Sequence, residues 1–177
     1  MTKKLKVFLG ISYLFILLIF LYFIFSNIEV DRLGDFLYYK ELQVNLENFI
    51  GSNIYANLAL FFIFSIVWVT LLGFGSPILI ISGILFGKWI GTFISVVSIS
   101  FGALTLYVIA NFFFVDLVQN IFKDKFSKYM NLFKKNEFYY FFIYRFVGGL
   151  GVPFCLQNIL PVVFNMKKKN YFFSSML

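Results

Sequence analysis

Arg145 is the only charged residue between Phe138 and Met166, in a run that is otherwise apolar. A guanidinium carried to membrane depth costs at least ~2.5 kcal/mol on insertion scales, so it turns toward a cavity or finds a partner. No acidic residue falls within any of the long apolar runs to pair with it. The chemistry open to such an arginine is anion recognition, because its planar fork can bond two phosphate oxygens at once. The competing reading is an arginine about ten residues beyond Lys135 that merely snorkels to the interface. The residues C-terminal to Arg145 favour a site. Gly148, Gly149, Gly151 and Pro153 make a poor continuous helix and let the chain turn, and the freed amides of such a turn can face an anion. Gln157 and Asn158 come next, with side-chain amides able either to close the turn on loose carbonyls or to touch a ligand. The candidate set for binding a lipid phosphate is therefore Arg145, Gly149, Gly151, Pro153 and Asn158; no catalytic or metal-ligating residue is expected.

The same G-x-G-x-P pattern occurs earlier, as Gly73-Phe74-Gly75-Ser76-Pro77. Both copies follow a charge-poor run rich in Phe and Ile, and both precede a short apolar piece that ends at lysine. Paired short hydrophobic segments interrupted by Gly and Pro point to an inverted-repeat transporter with a site near the midplane. The first hairpin is assigned Gly73, Gly75, Pro77, Gly83 and Gly87. The plainer alternative is two Gly/Pro kinks in ordinary spanning helices.

Elements long enough to hold such hairpins surround them. Met1 to Lys6 carries three lysines, and Val7 to Phe25 is uncharged. At ~1.5 Å per residue that run approaches a hydrocarbon core of ~30 Å, so a retained first transmembrane helix with a cytoplasmic N-terminus is expected. Glu29 to Gly51 holds most of the acidic residues, with apolar residues at roughly helical spacing, and reads as an interfacial amphipathic helix with a solvated acidic face. Ile54 to Leu72 is a second spanning helix, and Ile78 to Phe86 is too short to cross. Trp89 to Phe114 spans again, with Gly91, Ser95, Ser98 and Gly102 on one side for close helix packing. Val115 to Lys135 reads as a basic amphipathic helix in the headgroup region.

Composition bounds the class. The 177 residues are 61% hydrophobic and only 13% charged, against about a quarter charged in soluble domains, and mean hydropathy is +0.89. This is the profile of an integral membrane protein. The net charge of +7 comes from lysines flanking apolar runs, which fits membrane edges better than nucleic acid. A single cysteine, Cys155, leaves no intrachain disulfide and no cysteine-based metal site, and there is no histidine. A hydrolase or metalloenzyme is not expected, nor any cofactor.

Two blocks resemble the DedA/VTT-domain superfamily, also called SNARE-associated Golgi proteins. The first runs from Gly75-Ser76-Pro77 through Gly83-Ile84-Leu85-Phe86-Gly87 to Gly91, Gly102 and Tyr107; the second is Arg145-Phe146 with Pro153-Phe154 and Asn158. The resemblance implies a polytopic protein with two oppositely entering re-entrant hairpins, implicated in lipid translocation or scrambling and envelope homeostasis. Asn111 stands where many members have arginine, Gly148 replaces the first proline of P-x-x-P, and Pro161 falls near a usual glycine. The acidic residues DedA-type members carry near the first hairpin are missing, so the sequence looks nearer the Golgi-type branch.

The expected protein is thus an all-α integral membrane protein, a polytopic helical bundle with two re-entrant hairpins in inverted repeat. Residues 1–52 form the N-terminal helix and interfacial helix, and 53–177 a VTT-like membrane domain. Its expected function is non-enzymatic transport or scrambling of membrane lipids in the bacterial inner (plasma) membrane; the alternative is a scaffold that binds partner proteins and translocates nothing. Symmetry between the repeats also predicts that the last helix is truncated. Only Asn170 to Leu177 follows Lys167-Lys168-Lys169, ~12 Å if helical, where about 20 residues are needed to cross. The second hairpin would then be open on one flank, and is expected either to be mobile or to recruit another subunit, such as a second copy in a homo-oligomer.

Overall fold

A computed structural model describes residues 3–27, 44, 48 and 53–177, without the side chains of 114, 116–129 and 155 among others. The amphipathic helix expected over Glu29–Gly51 lies almost wholly outside the described residues. Every element described is helical, as the lack of alternating apolar and polar runs requires. Two compact units are present, 1–57 and 58–177. In the first, α1 covers Lys3–Asn27. Phe8, Phe15, Leu18, Tyr22 and Phe23 are all more than half exposed, so its apolar surface lacks protein cover within that unit.

The second unit takes up most of α2 (Ile54–Leu72), then α3 (Ser76–Lys135), α4 (Glu137–Phe146), a short 3-10 turn (Gly148–Gly151), α5 (Phe154–Ile159), α6 (Pro161–Phe164) and α7 (Lys168–Met176). Among the described residues two stretches, Ile54–Leu72 and Ser76–Phe113, are long and apolar enough to cross a membrane. Proline placement explains three helix starts. Pro77 lies in the first turn of α3, Pro153 is the N-cap of α5 and Pro161 opens α6, positions where a missing N–H breaks no intrahelical bond.

Each G-x-G-x-P sits at a reversal of the chain. After α2, the turn at Gly73 (φ 73°) sends residues 76–86 back along it: the rings of Phe61 and Phe86 meet at 5.3 Å, and Trp68 Nε1 donates to the Phe74 carbonyl at 3.1 Å. At Gly87 the backbone is left-handed (φ 71°) and the chain reverses again. Residues 76–86 and the following arm then pack as a tight pair, with the Ser95 hydroxyl 2.5 Å from that of Ser82. A Cβ on Gly91 would collide with the Ser82 carbonyl, and one on Gly102 would lie 2.7 Å from Val69 Cβ in α2. The small residues expected to permit close packing do so, Gly91 and Ser95 against the short arm and Gly102 against α2.

The second copy repeats the order. After α4 the chain turns through 148–151, and α5 and α6 return along it. Asn165 then takes a left-handed conformation (φ 49°) before Lys167 and α7, as a positive φ at Gly87 precedes Lys88 after the first G-x-G-x-P. The expected basic helix over 115–135 is not set off as an element of its own. Residues 88 to 135 are all helical, and no glycine or proline follows Gly102 within them. Yet Asn111 and Lys134 line one cavity, whereas a straight helix would hold them ~35 Å apart. The chain therefore doubles back between them.

The core of this unit gathers Val69 of α2, Ala103, Tyr107 and Ala110 of α3, Phe141 of α4, Val162, Met166 and Tyr171. Helix α7 packs against both α3 and α4. Its short length still delivers Tyr171 to the centre, where the side chain is fully buried.

Candidate functional site

Arg145 occupies the last turn of α4, where a cation suits the helix dipole, and Glu137 occupies the first, where an anion does. Eight residues of helix put ~12 Å between them, too far for an ion pair. Arg145 instead turns into a cage of neutral groups. Its Nη2 donates to Asn158 Oδ1 at 2.5 Å and to the Tyr171 hydroxyl at 3.0 Å. The guanidinium carbon lies 5.0 Å from the ring centres of Phe141 and Phe154 and 5.6 Å from that of Tyr171. Hydrogen bonds to a charged group contribute about 1.5–3 kcal/mol each, and cation–π contacts about 0.5–2. Together they offset an insertion cost of ~2.5–3.5 kcal/mol, so this arginine needs no carboxylate.

The cage is not saturated. Arg145 Nε and Asn158 Nδ2 are both buried and have no hydrogen-bond partner. Two unused N–H donors on neighbouring side chains leave capacity for an acceptor that the protein does not supply.

Asn158 Oδ1 is held from two sides, by Arg145 and by the Tyr171 hydroxyl at 3.1 Å, and that hydroxyl also lies 3.2 Å from the Ala103 carbonyl. Tyr171 stacks on Tyr107 at 4.6 Å, and Tyr107 donates to the Met166 carbonyl at 2.7 Å. Asn158 thus serves the arginine, while Gln157 closes the turn by donating Nε2 to the Val152 carbonyl at 2.6 Å. The turn itself is left-handed over four residues: Gly148, Gly149, Leu150 and Gly151 have φ of 74°, 65°, 55° and 78°. Glycine adopts this at no steric cost, whereas Leu150 is strained. Gly149 is buried and a Cβ there would run into the Gln157 amide; Gly151 and Pro153 are more exposed at the tip.

Of the residues expected to form the site, Arg145 and Asn158 are in contact, and Gly149, Gly151 and Pro153 shape the turn beside them. The first-hairpin set, Gly73, Gly75, Pro77, Gly83 and Gly87, is elsewhere. Among the described residues no hydrogen bond or ring contact links 73–87 to Arg145, whose partners come from α4, α5 and α7. Tyr171 and Glu137 were missed by the sequence reasoning. Glu137 is buried and accepts from the Lys167 backbone N–H at 3.2 Å and from Asn170 Nδ2 at 2.5 Å, tying the start of α4 to the start of α7. Its position just outside the apolar run was the available signal; for Tyr171, thirteen residues beyond Asn158, there was none.

Residues 73–177 match the family described as the VTT domain. No characterised protein and no solved structure matches the chain.

Proposed function

The chain belongs to the VTT domain family, whose members are membrane proteins, and from that premise we propose that it is a non-enzymatic transporter or scramblase of membrane lipids. The observation that carries the reading is the Arg145 cage: a half-buried arginine with no acidic partner among the described residues, in a broken hairpin, with its buried Nε and the adjacent Asn158 Nδ2 unbonded. A phosphate oxygen is the acceptor that such donors fit, and a guanidinium fork is suited to hold it. In this reading the two Gly/Pro turns are tips or bases of re-entrant segments, arranged as an inverted repeat. Their irregular backbone is closed by side chains nearby, Trp68 Nε1 on the Phe74 carbonyl in the first turn and Gln157 Nε2 on the Val152 carbonyl in the second.

The test is reconstitution of the full chain into liposomes containing a headgroup-labelled phospholipid, with a membrane-impermeant quencher outside. Wild-type protein should bring inner-leaflet label into reach of the quencher. Arg145→Ala should remove most of that activity while inserting normally, and Arg145→Lys should restore only part, since ammonium lacks the planar fork. Equal activity of Arg145→Ala and wild type would sink the reading.

A further inference from the structure

Nη2 of Arg145 is fully occupied by the protein itself. It carries two hydrogens, and two oxygens accept from it: Asn158 Oδ1 at 2.5 Å and the Tyr171 hydroxyl at 3.0 Å. A guanidinium offers two edges to a bidentate anion, Nε with Nη2 and Nη1 with Nη2, and both include this nitrogen. Neither edge can grip two phosphate oxygens in the conformation seen. Nε and Asn158 Nδ2 meanwhile stand buried and unbonded. The donors for an anion are assembled, and their shared corner is blocked.

The two blocking oxygens are not equally fixed. Asn158 is fully buried in α5 and makes the shorter bond. The Tyr171 hydroxyl makes the longer one, and its single proton has two acceptors within reach, Asn158 Oδ1 at 3.1 Å and the Ala103 carbonyl at 3.2 Å. It can leave the arginine and still donate. Tyr171 directly follows Asn170, which the Glu137 carboxylate clasps together with the Lys167 amide. Before α7 the chain passes through a left-handed Asn165 (φ 49°) and an extended Lys167 (ψ 132°), a bend between two short helices.

We propose that Tyr171 is a gate on Arg145. Its hydroxyl holds the shared corner of the fork, the Glu137 clasp keeps it there, and a tilt of α7 about 165–167 lets a phosphate oxygen take its place. This rests on the reading that Arg145 receives a phosphate, and adds a protein oxygen that competes for the same nitrogen. An incoming phosphate also meets Nε and Asn158 Nδ2, two donors that Tyr171 leaves unused. A tyrosine that merely supports the arginine predicts the opposite sign when its hydroxyl is removed.

The full chain in detergent is treated with phenylglyoxal, which bridges the two Nη nitrogens of an arginine. Peptide mass spectrometry reads Arg145 separately from Arg32, the other arginine of the chain. Dimethyl phosphate, a soluble phosphodiester without an acyl chain, is the competing probe. In Tyr171→Phe it should protect Arg145 at about tenfold lower concentration than in wild type, the weight of one hydrogen bond to a charged group. Glu137→Gln, which weakens the clasp and leaves the hydroxyl in place, should shift protection the same way by less. In the liposome assay Tyr171→Phe should move lipid faster than wild type. Weaker or unchanged protection in Tyr171→Phe overturns the gate, as does slower transport. Faster modification with unchanged protection reports a loosened cage and overturns it as well. If circular dichroism shows Tyr171→Phe unfolded, Glu137→Gln decides by the same readouts. Transport that survives Arg145→Ala sinks the transport reading, whereas the gate stands or falls on dimethyl phosphate protection, so the two fail separately.

Discussion

The hydroxyl of Tyr171 lies 3.0 Å from Nη2 of Arg145, joining residues 26 apart in the chain. Through it the last described helix, α7, supports the arginine, and the same hydroxyl reaches the Ala103 carbonyl of α3 at 3.2 Å. Tyr171→Phe keeps the ring over the guanidinium and removes only the oxygen. It should cost about 1–3 kcal/mol, because a charged donor loses an acceptor inside the protein. The check is thermal unfolding in detergent. Tyr171→Leu, which removes the ring together with the hydroxyl, gives the comparison for what the ring itself adds. Unchanged stability in Tyr171→Phe would mean that the phenol is incidental to the cage.

The left-handed turn predicts two substitutions of opposite sign. Gly149→Ala meets both a strained φ of 65° and the Gln157 amide, and should destabilise by at least about 1 kcal/mol. Leu150→Gly relieves a left-handed leucine that is 78% exposed and loses little packing; it should be neutral or stabilise by up to ~1 kcal/mol. Midpoints of chemical or thermal unfolding read both. A loss at Leu150→Gly as large as at Gly149→Ala would contradict the assigned turn.

How far the fold and the site were legible in the sequence depends on the range of the interactions. The two G-x-G-x-P turns, the break at Gly87 and the packing role of Gly91 and Gly102 are written in local residue types. Arg145 announced itself as a lone charge. Asn158 was visible as an amide beside a broken backbone, but its choice of the arginine over a loose carbonyl depends on Tyr171, which comes from another helix. The reversal between Asn111 and Lys134 has no glycine or proline to mark it, so the sequence read as a helix continuing into a separate basic face. Glu137 was passed over because it lies one residue outside the apolar run, and its partners, the Lys167 amide and Asn170, are 30 and 33 residues away.

Glycines of the first hairpin and of the arm that follows it differ in what surrounds them. At Gly91 an added methyl meets the Ser82 backbone carbonyl, which cannot swing away; at Gly83 nothing lies within 4 Å. Gly91→Ala should therefore spread the pair of arms and destabilise by roughly 1–3 kcal/mol, whereas Gly83→Ala should gain slightly from helix propensity. Equal tolerance of both would show that the arms do not approach as closely as the Ser82–Ser95 contact requires.

Glu137 offers a prediction about α7. Its carboxylate takes two donors at the start of that helix, and an anion at a helix N-terminus adds to their effect. Glu137→Ala leaves the Lys167 amide and Asn170 without their acceptor and should cost about 1–3 kcal/mol, loosening α7 first. Hydrogen exchange should then rise at 168–176 before it rises in α2. Uniform exchange across both helices would place the loss elsewhere.

The depth of the second hairpin can be tested by where its tip reacts. Helix α4 has 10 residues, ~15 Å long, so a turn at 148–151 reaches about half of a ~30 Å hydrocarbon core. Lys134 and Lys167 line one cavity and so lie at one level, near the base of the hairpin. In a Cys155→Ser background, Lys134→Cys and Lys167→Cys should both react with an impermeant thiol reagent from the same side of a sealed vesicle. If the segment is re-entrant, as proposed, its tip stops within the membrane and Leu150→Cys should not react from the opposite side. Leu150 is a suitable reporter: it is exposed on the protein surface, so lack of reaction reflects lipid rather than burial. A permeant maleimide that does label Leu150→Cys confirms that the thiol is free. Labelling of Leu150→Cys from the far side by the impermeant reagent would make α4 and its return a crossing rather than a re-entrant segment, and the midplane site at Arg145 would lose its structural basis.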